Sequence, residues 1–117
     1  MSGVSGQVAF LAGGTATARC LAAAGAAVAI ADMDPAVAER TASAVNNTGG
    51  HAIVLHMDLT QDAQIAVAIG ATVQAFGRLD ILFNAAGGTP EGDDPVTEVA
   101  LEVFERGIQL DLRGAFL

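Results

Sequence analysis

Glycine, carboxylate and amide side chains recur at one kind of place in this 117-residue sequence: the end of a short apolar run. Gly13 and Gly14 follow residues 8–11 (VAFL), Asp32 follows 27–31 (AVAIA), Asp58 follows 52–57 (AIVLHM) and Asn84 follows 79–83 (LDILF). Glycine lets a backbone turn tightly, an aspartate accepts hydrogen bonds, and an asparagine both donates and accepts. Such residues suit the holding of a polar small molecule. Either aspartate alone reads equally well as a turn cap, but four such ends in phase point to one shared site. Other chemistry is thin. Cys20 has no second cysteine to pair with and reads as a small buried hydrophobe in an alanine-rich helix. His51 and His56 lack acid or thiol partners at ligand spacing, and Glu91, Asp93 and Asp94 match no calcium loop, so no metal is expected.

The elements that must position those ends are legible from periodicity. The four apolar runs read as strands. Helices are expected over residues 15–24, 35–46 and 61–76 and from 97 to the end, separating the strands as in repeated βαβ units. Pro35 suits a first helical turn, Thr60 an N-cap and Gly77 a C-cap. In the last helix Leu101, Phe104, Ile108 and Ala115 fall near one face, with Glu98, Glu102, Glu105 and Arg106 free to meet water. The pattern predicts one α/β domain over residues 1–117, a doubly wound parallel sheet that binds ligands beyond the carboxyl ends of its strands. Receiver domains share this geometry, but they want an acidic pair after the first strand and a later lysine, and this chain has neither.

Composition narrows the partners. With 52% hydrophobic and 15% charged residues the chain reads as globular, not disordered. A net charge of −8, with five arginines and no basic cluster, argues against nucleic acid. The opening MSGVSGQVAF has no basic leader, and the longest low-charge run, 21–31, is about half a bilayer span. A cytoplasmic protein without a membrane partner is the expectation.

The segments GQVAFLAGG, TATARCLAAAGAAVAIAD, HMDLT, GRLDILFNAAG and ERGIQLDLRGAFL, in this order and spacing, resemble the classical short-chain dehydrogenase/reductase family along essentially the whole chain. The resemblance implies a Rossmann-like sheet, here incomplete at about four strands in an order resembling 3-2-1-4. It also implies an NAD(P)-dependent oxidoreductase acting on an alcohol or ketone. By position, Gly13 and Gly14 belong to the cofactor's phosphate loop, and Asp32 to its adenosine ribose, where a carboxylate favours NAD over NADP. Asp58 and Leu59 would lie against the adenine, and Asn84, Ala86 and Gly87 would line the cofactor's path. Ala85 stands where the family commonly has a second asparagine. Asp111 occupies the position of an active-site asparagine and is the one candidate catalytic residue. An aspartate there only accepts hydrogen bonds, and on an otherwise apolar helix face it is expected to cost several kcal/mol unless paired.

Two departures alter what the resemblance implies. The family writes Thr-Gly, three variable residues and Gly-X-Gly before the first helix, whereas Ala12, Gly13 and Gly14 run straight into Thr15. About five residues and two of the three glycines that bring backbone N–H groups to a pyrophosphate are absent. Thr15 remains as a possible helix cap, and full cofactor affinity is not expected. The family's catalytic serine and Tyr-X-X-X-Lys pair lie beyond Leu117, and the chain contains no tyrosine or lysine. Alone it is expected to be inactive, the front portion of such an enzyme. The alternative is a non-catalytic binding or assembly module. An apolar fourth strand left at the sheet edge predicts self-association or a completing chain, with a small-molecule substrate only if completed.

Overall fold

A period of two in the apolar runs divides the core between the faces of one sheet. The computed structural model describes residues 3–117. In it β1 (Val8–Ala12), β2 (Ala27–Asp32), β3 (Ala52–His56) and β4 (Ile81–Asn84) form a parallel sheet in the order β3-β2-β1-β4. Ala9, Leu11, Val28 and Ile30 pack with Ala18 of α1 (Thr15–Ala23) and with Ala38, Ala42 and Val45 of α2 (Pro35–Asn47). The intervening Phe10, Ala12, Ala29 and Ala31 pack with Met57, Leu59, and Ile65 and Ala68 of α3 (Asp62–Phe76). Two-sided burial of β1 and β2 is why both read as unbroken apolar runs.

Register brings the polar ends level. Ala12 lies between Ala31 and Asn84, and Asp32 pairs with His56 one residue further on. At the opposite end Asp80 fixes β4 on β1: its Oδ2 accepts from Val8 N at 2.8 Å while Arg78 holds its Oδ1 at 2.6 Å. Asp34 caps α2 by accepting from Ala36 N, with Pro35 as the first helical residue. Gly77 ends α3 at φ +79°, a left-handed conformation that costs glycine little.

Several local expectations are corrected. Gln61, not Thr60, occupies the N-cap position of α3, because the Thr60 hydroxyl donates to Asp58 Oδ1 at 2.7 Å instead. Thr15 does not cap α1. It is already helical, and Gly14 holds the cap position at φ +70° without any side-chain bond. Cys20 is exposed, since nine-residue α1 turns Ala18 inward and Arg19 and Cys20 outward.

Residues 85–100 lead into α4 (Leu101–Ile108), a π-helical turn (Gln109–Arg113) and a last short turn, α5 (Gly114–Phe116). Leu101, Phe104 and Ile108 are exposed, as are Leu82 and Phe83 on the edge strand β4. Among the described residues no helix is long and apolar enough to cross a membrane.

Candidate functional site

At the carboxyl ends of β1, β2 and β3 lies a cleft of about 330 Å³. Gly13 forms its floor between strand and helix, Asp32 and Met33 one end, Met57, Asp58 and Leu59 one wall, and Ala85, Ala86 and Gly87 the other. Leu110 of the π-helical turn completes it. Six residues singled out in the sequence therefore converge: Gly13, Asp32, Asp58, Leu59, Ala86 and Gly87. The volume sits at the low end of the roughly 300–1,000 Å³ typical of small-molecule sites.

The polar groups of the cleft are held by local bonds. Asp32 Oδ1 accepts from Asp34 N at 2.8 Å, and among the described residues no protein donor meets its Oδ2. Asp58 Oδ1 accepts from both Thr60 N (2.9 Å) and Thr60 Oγ1 (2.7 Å), while Asp58 N donates to Gln64 Oε1. The Thr60 backbone bond first, then its hydroxyl, hold the Asp58 carboxyl below the ordinary aspartate range. Arg113 hydrogen-bonds Asp62 in a two-pronged pair and lowers its pKa, and Arg78, with Val8 N–H, lowers that of Asp80. All three carboxyls favour the folded state when ionised. Their contribution is complete above the unfolded value near 3.8 and is lost as pH falls through the lower folded values. A circular-dichroism melt series is expected to show an unchanged midpoint from pH 7 to about 5 and a falling one below about 4.

Not every expected residue reaches the cleft. Gly14 packs under β4, where a Cβ would stand 2.9 Å from Phe83 Cε1. Asn84 lies on the Met57 and Leu59 side of the sheet but lines an adjoining cavity, with its amide 3.5 Å from Ala115 O. Asp111 stands behind the Gly87 wall, its Oδ1 accepting from Gly88 N at 2.9 Å. It is exposed, so the expected burial cost is not incurred: the helix face carrying it is open to solvent. Sequence reasoning missed Met57 as a lining residue, although it ends an apolar run. It also missed Leu110, whose direction depends on a π-helical turn that a period of 3.6 cannot signal.

The sequence model described as enoyl-(acyl carrier protein) reductase matches residues 12–117. A short-chain dehydrogenase/reductase from Serratia marcescens superimposes with a TM-score of 0.89 at 36% identity over 97% of this chain and 48% of its own. The chain belongs to the short-chain dehydrogenase/reductase family. NAD+-bound xylitol dehydrogenase superimposes at a TM-score of 0.90, with 30% identity, over 98% of this chain and 46% of that one. The 2,5-dichloro-2,5-cyclohexadiene-1,4-diol dehydrogenase of Sphingobium indicum is 34% identical over all of this chain and 47% of its own length. This short-chain dehydrogenase/reductase chain thus spans less than half the length of these relatives. The Sphingobium match runs over 122 positions, five more than the chain has residues.

A nicotinamide dinucleotide fits this site in part. The cleft offers an acceptor at Asp32 and apolar walls at Met57, Leu59 and Leu110, chemistry suited to an adenosine. The β1–α1 turn does not arch outward for a pyrophosphate. It is two residues long, and a Cβ on Gly13 would stand 3.2 Å from Ala86 N, so the turn is packed against the chain leaving β4.

Proposed function

We propose that this chain is the nucleotide-binding front portion of an NAD-dependent short-chain oxidoreductase acting on an alcohol or ketone, and that alone it binds the cofactor weakly and turns nothing over. The observation that carries the reading is the convergence of Gly13, Asp32, Asp58, Leu59, Ala86 and Gly87 on one cleft, or close beside it, at the strand ends. Xylitol dehydrogenase, similar over nearly the whole chain, has NAD+ bound. Asp32 would accept from the ribose hydroxyls, Leu59 would pack against the adenine, and Ala86 and Gly87 would border the path onward. A carboxylate at Asp32 disfavours the additional phosphate of NADP. Bound NAD supplies a hydride acceptor, but an alcohol must also lose a proton. The chain has no tyrosine or lysine to manage it.

Titration of the folded chain with NADH, followed by NADH fluorescence, tests this. Saturable binding is expected with Kd near 1 mM, about −4 kcal/mol. Asp32→Ala removes a charged acceptor worth about 1.5–3 kcal/mol, so affinity is expected to fall at least about tenfold. Equal binding by the wild type and Asp32→Ala, or equal affinity for NADPH, overturns the reading.

A further inference from the structure

Residues 109–113 make contacts in two directions, and both reach the cleft. Gln109 Nε2 donates to Thr60 O at 3.0 Å and Arg113 pairs with Asp62, so one side of the π-helical turn holds the connection from β3 to α3. Asp111 Oδ1 accepts from Gly88 N at 2.9 Å, so the other side holds the chain leaving β4. Helical geometry allows this division. Side chains four apart share a face, whereas one placed between them, two from each, points across. Leu110 lines the cleft between the two sets of bonds. Gly114 closes the arrangement from behind: a Cβ there would stand 2.7 Å from Leu59 O and 2.9 Å from Leu59 Cβ. Its φ of −61° suits any residue, so close approach, not backbone freedom, is what glycine provides.

We infer that the π-helical turn with Gly114 is a bracket that sets the width of the cleft. It holds the Leu59 wall and the Gly87 wall at the separation an adenosine-containing nucleotide requires. Gln109, Asp111, Arg113 and Gly114 are positioning residues in this role, and Leu110 is the one side chain of the turn that meets the ligand. The nature of the ligand rests on the nucleotide reading above. The bracket is a statement about two walls and is testable without any ligand.

The experiment is amide exchange by NMR on the full chain, read at Gly88 on the wall that Gly114 does not touch. Gly114→Ala is expected to push the turn off Leu59 and, through Asp111, to speed solvent exchange at Gly88 about threefold or more, with β2 amides unchanged. Asp111→Ala should free Gly88 in the same way, while Asp111→Asn, whose amide oxygen still accepts, should leave it protected. If Gly114→Ala does not fold, Arg113→Ala carries the test, with Arg113→Lys restoring the wild-type rate. A Gly88 rate unchanged in folded Gly114→Ala, or in Arg113→Ala, overturns the bracket. With NADH as the probe, Gly114→Ala should lose at least tenfold in affinity. Absence of NADH binding by the wild type sinks the nucleotide reading, while the Gly88 rates still decide the bracket.

Discussion

Inserting five residues that end in Gly-X-Gly between Gly14 and Thr15 raises the affinity for NADH by about 100-fold. The β1–α1 turn is two residues long and packed beneath β4, with Gly13 against Ala86 and Gly14 against Phe83. The N-terminus of α1 has no capping side chain, so its N–H groups are available in kind but are brought up by too short a connection. A longer loop lifts the chain clear of Ala86 and lets two or three backbone N–H groups reach the pyrophosphate, aided by the helix dipole. Hydrogen bonds to a charged group contribute about 1.5–3 kcal/mol each, and part of that is spent ordering the added loop. A net gain near 2.7 kcal/mol is about 100-fold in Kd. Fluorescence titration of the insertion variant beside the wild type measures it. The gain should vanish when both inserted glycines are replaced by valine. An insertion variant that folds and binds no better than the wild type would show that something other than the turn limits affinity.

How far the sequence revealed this arrangement depended on whether the determinant was local. Two-sided burial is written directly into VAFLA and AVAIAD, so β1 and β2 were legible, as was the level array of polar ends, while the strand order came from the family resemblance. Asp32 and Asp58 were found because each stands where an apolar run stops. Turn chemistry was less transparent. Thr60 has the right residue type for a cap, but Asp58 two positions earlier competes for its hydroxyl and wins. The last helix was read by its period of 3.6, which gives an apolar stripe but no partner for it; Leu101 and Phe104 are exposed. The π-helical turn was invisible for a different reason. Its Gln109, Asp111 and Arg113 each bond to a residue more than twenty positions away, and no short window along the chain contains both partners.

Ile30→Ala is the substitution expected to cost most in stability. Ile30 is fully buried in β2, with strands on both sides and α1 and α2 packed on its face of the sheet. Removing its branched side chain leaves a void that the surrounding alanines are too small to fill, so a loss of about 2–5 kcal/mol is expected. A domain of this size is stable by only about 5–15 kcal/mol. The large apolar side chains that β4 and α4 leave in water add nothing to that stability. Pulse proteolysis in urea should show the midpoint of Ile30→Ala far below that of the wild type. Val67→Ala, at an exposed position of α3, should stay within about 0.5 kcal/mol. The same measurement links core to cleft: a ligand that binds only the folded chain adds about 2.7 kcal/mol at 100 times its Kd. In the insertion variant, with an expected Kd of about 10 μM, about 1 mM NADH should therefore return much of the stability that Ile30→Ala removes. The recovery should fall to about half or less on adding Asp32→Ala, since Ile30 and Asp32 lie on one strand but only Asp32 is proposed to touch the ligand.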